Sequence, residues 1–330
     1  MASYQNVSTP RFYIDIFEYY KATAIGTVNN APPNLFGLNT SRQYWFTTTD
    51  FGGNVHKTFR SFDFPTGEIP NLNYIAVLGH NFGDFTTGGF HMRLDSLTVP
   101  GGTYMGRPSD YEITNASFSS NFNAGFSGFS ITEITPPTTP VDAYRINFRL
   151  QGTDANPISI CALSTGYFYD MPHSPELSLT MSHEYDGIKK QETTGGSTLS
   201  YVNYYKPPDW GDLQAWQLGG WDRKYSGRRV WNLSFNYLSD SDIEPYNYHI
   251  DSSSGHSDWN EDSNWFTNVI HYTNGGQLPF IFCPDPSISY STDTWTIPEF
   301  AICRFDMKTF KREQVANGVY NIKVKIKESW

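Results

Sequence analysis

Apolar and polar residues alternate most regularly at the two ends of the last third of the chain, in residues 227–238 and 317–327. Successive side chains of a strand point to opposite faces, so this period of two predicts half-buried strands. The apolar face of the second run consists of Tyr320, Ile322, Val324 and Ile326, and its polar face of Asn321, Lys323, Lys325 and Lys327. The dipeptide Asn317-Gly318, which supplies the positive φ values of a tight hairpin turn, precedes this run. We therefore expect residues 310–315 to pair back against a final strand.

One helix is predicted between those strands. Asp258 and Glu261 have the spacing of a capping box, in which two side chains satisfy backbone donors at a helix start. Trp265, Phe266, Val269 and Ile270 then lie on one helical face, and Asn274-Gly275-Gly276 is suited to end the helix. Apolar runs at residues 278–284 and 300–305 predict two short strands. The C-terminal third is thus predicted to be a small sheet or sandwich with one helix packed on it.

The order of these segments resembles that of a known group of proteins. The runs GRRVWNLSF, NGGQLPFIF, FAICRFD and NGVYNIKVKIKESW resemble the β-sandwich tail proteins of tailed bacteriophages, and the distal-tail and minor-tail components are the best comparison. The resemblance covers about residues 216–330. It implies a structural virion protein that is assembled in the host cytoplasm and forms a ring or adaptor at the tail tip or baseplate. Its implied partners are further copies of itself, with a hexamer favoured, and other tail proteins.

The N-terminal half also predicts strands, at residues 12–19, 71–82, 88–95, 144–150 and 158–168. The runs NYIAVLGHNF, FHMRLD, YRINFRL and ISICALSTGYF resemble the galactose-binding-like jelly roll, an antiparallel sandwich, over about residues 10–170. Loops of that family bind sugar or calcium, but no residue here matches a ligand motif. Residues 28–34 and 104–140, rich in Asn, Gly, Pro, Ser and Thr, are predicted to be loops.

Residues 171–221 have a different character. Met171-Pro172-His173-Ser174-Pro175 ends any strand, and Thr193-Thr194-Gly195-Gly196-Ser197 predicts the tip of an extended hairpin between residues 184–191 and 200–205. We interpret the segment as an arm whose aromatic side chains dock on a neighbouring subunit or on another domain; an ordinary interdomain linker is the alternative. The predicted organisation is mainly β: a jelly-roll domain (1–170), the arm or linker (171–221) and a tail-type β-sandwich (222–330).

Arginine and tryptophan dominate the energetics of protein interfaces, so they are the candidate subunit contacts. The predicted set is Arg228, Arg229, Trp231, Trp210, Trp216 and Trp221. An alternative function is a carbohydrate-binding, receptor-binding module that stacks rings on a host surface glycan. The ring-rich loop residues available for that role are Tyr104, Phe118, Phe122, Phe126 and Phe129. A hydrolase acting on cell-wall sugar is a third, weaker hypothesis.

The composition of the chain narrows the classes of protein to which it could belong. Aromatic residues make up 17% of the chain and charged residues only 17%, against about 25% charged residues in an ordinary soluble protein. Such ring-rich chains are typical both of interfaces and of small β cores, and both readings stay open. With 33 acidic against 23 basic residues, the formal charge is −10, which argues against a nucleic-acid partner. No apolar N-terminal segment follows Met1, so we expect neither a signal peptide nor membrane insertion.

The sequence contains few residues that are candidates for catalysis or metal binding. His249, Asp251, His256 and Asp258 lie in a polar loop, and Asp240, Asp242 and Glu244 lack calcium-loop spacing, so no metal site is predicted. His80 and His91 lie on successive predicted strands, either facing each other or, more commonly for such residues, satisfied at a loop mouth. Cys161, Cys283 and Cys303 are expected to be buried free thiols. No catalytic motif appears, and no carboxylate lies in an apolar strand in a way that predicts a raised pKa, so we predict neither an enzyme nor a cofactor.

Overall fold

The computed structural model describes residues 7–22, 27–29, 37–38, 44–46, 50–51, 54–63, 73–80, 90–97, 112–113, 128–133, 143–151, 158–185, 189–201, 227–245, 263–288 and 299–329. In chain order the elements are β1 (Arg11–Asp15), α1 (Ile16–Ala22), β2 (Thr27–Asn29), β3 (Tyr44–Phe46), β4 (Asp50–Phe51), β5 (Asn54–Asp63), β6 (Tyr74–His80), β7 (Phe90–Leu97), β8 (Glu112–Ile113), β9 (Gly128–Glu133), β10 (Ala143–Gln151), β11 (Ile158–Ile160), β12 (Ala162–Asp170), β13 (Thr180–Glu184), β14 (Lys189–Glu192), β15 (Thr198–Tyr201), β16 (Arg228–Ser239), α2 (Asp240–Ile243), a π-helix (Phe266–His271), β17 (Phe280–Cys283), β18 (Ala301–Phe305), β19 (Arg312–Ala316) and β20 (Val319–Glu328). The predicted mainly β fold is confirmed.

A ten-stranded sheet dominates the structure. Its strands follow the order β13-β16-β20-β18-β17-β1-β12-β6-β9, with β19 beside β20, and every pairing is antiparallel. A six-stranded sheet has the order β2-β5-β10-β7-β8 with β4 beside β5, and β3–β11 and β14–β15 form separate pairs. Most of the predicted strands are present in these sheets. The structure also contains β3, β4 and β5, which alternation did not indicate.

Strand β1 lies near the middle of the large sheet. It pairs with β12 on one side, with Phe12 opposite Tyr169, and with β17 on the other, with Phe12 opposite Phe282. Strands from residues 1–170 and from residues 222–330 therefore belong to one hydrogen-bonded sheet. The predicted division of the chain at residues 170 and 222 does not coincide with a break in this sheet, and the domain boundaries stay a prediction.

Both faces of the sheet are buried at β1, which explains the apolar run Phe12-Tyr13-Ile14. Phe12 and Ile14 enter one core, where the Phe12 ring meets Trp265 at 5.2 Å between centroids and Phe282 at 5.3 Å. Tyr13 enters the other core and meets Tyr74 edge-on at 5.1 Å. Edge-to-face rings of this kind add to the burial of apolar area. The large sheet is thus an internal layer at this point.

The C-terminal strand predictions are confirmed. β19 returns on β20 through a turn in which Gly318 has φ +69°, although Asn317 does not share the predicted positive φ. Ile322, Val324 and Ile326 are buried on the predicted face. Asn274, Gly275 and Gly276 all have positive φ where the π-helix segment ends. Just before this segment, Asn264 accepts a hydrogen bond from the Thr267 N–H at 2.8 Å. The capping box predicted at Asp258 and Glu261 lies outside the described residues.

Four local predictions are wrong at least in part. The strand predicted over residues 12–19 ends at Asp15, because the Asp15 carboxylate accepts a hydrogen bond from the Glu18 N–H at 3.0 Å and so starts α1. β2 ends within the loop predicted at residues 28–34, and β8 and β9 lie within the loop predicted at residues 104–140. Phe266, predicted on the buried helical face, is 36% exposed. Among the described residues, helices are too short or too polar to cross a bilayer.

Candidate interaction surface

We define the arm as the described residues 171–185 and 189–201, within the segment predicted to project from the body. Its start is fixed: Met171 is buried, and its N–H donates to the Pro10 carbonyl at 3.1 Å. The Glu176 N–H donates to the Ser234 carbonyl at 2.8 Å, and the Asn236 amide donates to the Glu176 carboxylate at 2.8 Å. The arm therefore leaves the body along β16 and has a defined direction.

Strand β13 of the arm is the outermost strand at one end of the large sheet. It pairs with β16 from Thr180 opposite Asn232 to Glu184 opposite Arg228. The Lys327 ammonium donates to the Glu184 carboxylate at 2.5 Å and secures the end of the strand. The side chains of β13 are exposed except that of the half-buried Glu184, and among the described strands its outer edge has no neighbour. Such an edge presents unpaired backbone donors and acceptors to another chain.

The hairpin β14–β15 forms the rest of the arm. Lys189 lies opposite Tyr201 and Glu192 opposite Thr198, as predicted for a hairpin with its tip at residues 193–197. The Thr193 N–H donates to the Ser197 carbonyl at 2.9 Å, and the Ser197 N–H donates back to the Thr193 hydroxyl at 3.1 Å. Every side chain of the two strands is exposed. Because an isolated two-stranded hairpin is marginal in water, this one is expected to gain stability from a contact.

Exposed large apolar side chains concentrate on the arm. Among the described residues they are Leu177, Met181, Tyr185, Leu199, Tyr201, Tyr237, Phe266 and Val315, and the first five belong to the arm. Leu177 is fully exposed, while Tyr201 is 60% and Leu199 58% exposed. Single exposed apolar residues are ordinary, but a concentration on one segment is typical of an interaction surface.

Two predicted contact residues are instead internal. Arg229 and Trp231 are 3% and 2% exposed, so the prediction that their side chains contact a neighbouring subunit is not supported; Arg228 is half-buried. Positions 229 and 231 share one face of β16, and that face is turned into the core that contains Trp231. The remaining predicted contacts, Trp210, Trp216 and Trp221, lie outside the described residues.

Arg229 is the centre of a buried charge cluster. Its Nη2 donates to Glu328 Oε1 at 2.8 Å, its Nε donates to Glu328 Oε2 at 3.1 Å, and its Nη1 donates to Glu299. Burial by itself lowers the pKa of Arg229, but the charges of Glu328 and Glu299 outweigh it, so the pKa is raised. Burial raises the pKa of Glu299, which the charge of Arg229 opposes. The alternation of β16 alone did not indicate that a cation would face inward.

A second buried carboxylate, Asp15, contradicts the prediction that no acidic residue lies in an apolar strand with a raised pKa. Asp15 is 1% exposed, and its Oδ2 atom has no hydrogen-bond partner. Burial, and next the charge of Glu18, raise its pKa to about 7. The signal was present in the sequence, since Asp15 stands between Phe12-Tyr13-Ile14 and Ile16-Phe17.

The other candidate chemical groups are not brought together. Asp242 accepts a hydrogen bond from the Ser239 N–H at 2.8 Å, and Glu244 forms an ion pair with Arg312, so this acidic group serves helix α2 and the C-terminal hairpin. His80 lies on β6 in the large sheet and His91 on β7 in the six-stranded sheet. His249, Asp251, His256 and Asp258 lie outside the described residues, and the described ones contain no group of three or more His, Cys, Asp or Glu residues that could hold a metal.

The cysteines are buried and free, as predicted. Cys283 and Cys303 lie on neighbouring strands but in the two different cores, which places them on opposite faces of the sheet. Burial raises the pKa of both thiols. Of the proposed sugar-stacking residues, Phe129 lies on β9 opposite Leu78, and Tyr104, Phe118, Phe122 and Phe126 lie outside the described residues.

These features define a mainly β protein with a large antiparallel sheet and an exposed, apolar arm at one end of that sheet. No family model, curated protein or solved structure matches the chain.

Proposed function

We propose that this protein is a structural component of a phage tail that assembles with further copies of itself into a ring, and that the arm makes the contact between copies. The concentration of exposed apolar side chains on the arm carries the proposal. The resemblance of residues 216–330 to tail proteins supplies the biological setting. The arm lies at one end of the large sheet. In the proposed assembly it contacts a different surface on the next copy, and a contact of this head-to-tail kind generates rings when the rotation closes.

The energetics favour burial of the arm. Fully burying one large apolar side chain contributes about 1.5–3 kcal/mol. Leu177, Leu199 and Tyr201 are each more than half exposed, so docking removes much apolar area from water. The outer edge of β13 adds backbone hydrogen bonds if a strand of the neighbouring copy pairs with it.

The test is mass photometry of the purified full chain beside the triple variant Leu177→Ser, Leu199→Ser, Tyr201→Ser. We expect ring-sized particles for the natural chain and monomers for the variant. The control is Val315→Ser, which removes an exposed apolar side chain from β19 outside the arm and should leave assembly unchanged. A monomeric natural chain, or a triple variant that assembles normally, would reject the proposed role of the arm. The tail setting is tested separately by detecting the protein in purified phage particles, and its absence from them would reject that setting.

A further inference from the structure

A groove lies beside the C-terminal hairpin, away from the arm. It has a volume of about 210 Å³. Its lining residues come from helix α2, the π-helix segment, the start of β19 and β20. They are Ile243, Glu244, Trp265, Phe266, Ile270, Phe310, Lys311, Arg312, Ile322, Lys323 and Val324. Strand β20 changes partner here, because β19 reaches Ile322 whereas β18 begins opposite Ile326. Residues 323–325 between them are not part of either strand ladder on that edge, although the Asp306 N–H donates to the Lys325 carbonyl at 2.9 Å. The groove lies at this change of partner.

The floor and one wall of the groove are apolar. Ile322 and Val324, on the apolar face of β20, form the floor, and both are buried, whereas Lys323 between them is exposed on the other face of the strand. Phe266 is 36% exposed although its helical neighbours Trp265 and Ile270 are buried. Phe310 stands edge-on to Phe305 at 5.2 Å between centroids, which fixes the opposite wall. An apolar cavity of about 150 Å³ accommodates a benzene molecule, so the groove has room for one large apolar side chain.

The lining residues of the groove carry more positive than negative charge, although the whole chain is acidic. Three of its lining residues are cations, Lys311, Arg312 and Lys323, and one is a carboxylate, Glu244, which is paired with Arg312. The last pair of the β19–β20 ladder is Arg312 with Ile322, so the next residues along the two strands are Lys311 and Lys323. Both lysines are exposed, and neither forms an ion pair with a described residue. Like charges at adjacent cross-strand positions are unfavourable, and a carboxylate placed between them removes that cost.

We propose that the groove binds an acidic segment of a partner protein, with one large apolar side chain in the cavity and a neighbouring carboxylate on Lys311 and Lys323. The surplus of positive charge in the groove favours an acidic segment by charge complementarity. The apolar floor favours an apolar anchor side chain on that segment. Electrostatic complementarity of this kind mainly sets partner choice and association rate, while the buried anchor supplies affinity.

The test is selection of random heptapeptides displayed on a carrier, panned on the full chain and counter-selected on the variant Lys311→Glu, Lys323→Glu. We expect enriched peptides to carry Asp or Glu beside one Leu, Ile, Phe or Trp. Synthetic versions of those peptides should bind the natural chain in fluorescence anisotropy and bind the double variant at least tenfold more weakly. Phe266→Ser should weaken the same peptides without changing their preference for acidic residues.

The matched control is Lys189→Glu, Lys190→Glu, which changes the net charge by the same amount on the arm and should leave peptide affinity within twofold. Failure to enrich peptides above the counter-selection, enrichment of basic or uncharged peptides, or equal loss in the control would overturn the proposal. Thermal unfolding of each variant identifies a folding defect, and Lys311→Gln, Lys323→Gln then replaces the charge reversal. Peptide binding is also measured for the arm triple variant. That variant should bind the peptides as the natural chain does, because the groove does not depend on assembly through the arm.

Discussion

At the scale of single residues, the ionisation of Asp15 couples stability to pH. Its pKa is raised to about 7 in the folded chain, whereas an unfolded aspartate has a pKa of about 3.9. Between these values the folded chain binds more protons than the unfolded chain. Raising the pH through this window therefore lowers the free energy of unfolding, by on the order of 4 kcal/mol in total.

We predict that Asp15→Asn removes this dependence. The asparagine oxygen can still accept the Glu18 N–H, so the start of α1 is retained. Urea unfolding at pH 4.5 to 8 should show that the variant gains stability relative to the natural chain as the pH rises. Glu313→Gln, a substitution of an exposed carboxylate on β19, is the control and should keep the natural profile. Parallel profiles for Asp15→Asn and the natural chain would contradict the prediction.

The burial of single side chains was predicted correctly from the sequence where they follow the alternation of their strand. It was not predicted for charged side chains that point into the core. Ile322, Val324 and Ile326 were predicted correctly because one period places them all on the core face. Arg229 lies on the core face of β16 as well, but its burial depends on Glu299 and Glu328, which come from elsewhere in the chain. A buried cation requires such partners, and a local pattern does not contain them.

At the scale of elements, the junction of β1 and α1 depends on a glycine in the neighbouring strand. Gly166 of β12 lies opposite Asp15. A Cβ atom at this position would stand 2.0 Å from the Ile14 carbonyl oxygen and 2.9 Å from the Ile16 nitrogen. Both contacts involve backbone, so β12 and the junction would have to separate.

We predict that Gly166→Ala destabilises the protein by at least about 2 kcal/mol, within the range of overpacked cores. Chemical denaturation measures the change. Gly195→Ala at the hairpin tip is the matched control, because a Cβ atom there meets nothing within 4 Å. Equal stabilities of the two variants would show that the junction tolerates the added methyl group.

Elements with a local signal were predictable. The β19–β20 hairpin follows from Asn317-Gly318 and alternation, and the β14–β15 hairpin follows from its glycine-rich tip. The pairing of β1 with β17 had no local signal, since sheet order is decided by packing between distant segments. β9 was missed because Gly128 and Ser130 gave its short sequence the character of a loop. The groove was not predictable because it arises from the change of partner along β20.

At the scale of the whole molecule, the shared sheet implies one cooperative unit across the described strands of the large sheet. β1 contributes Phe12 to a core that also contains Trp231, Phe282 and Val324. We predict that residues 1–170 and 222–330, produced as separate fragments, each lack a cooperative thermal transition, whereas the full chain has one that includes both. Differential scanning calorimetry of the three proteins checks this. Two fragments that each unfold cooperatively near the temperature of the full chain would establish independent domains.

The place of β1 in the sheet also constrains how the protein is made. Its partner β17 follows about 270 residues later in the chain, which at about 5–20 residues per second means that roughly 14 to 54 s of translation separate the two strands. Once β12 has been synthesised, a nascent β1–β12 pair exposes one open, aromatic edge until β17 follows about 110 residues later. Folding from the N-terminus onwards is therefore incomplete until the ribosome has delivered the C-terminal third, and trigger-factor-like or Hsp70-like chaperones that shield apolar edges should raise the yield of native protein.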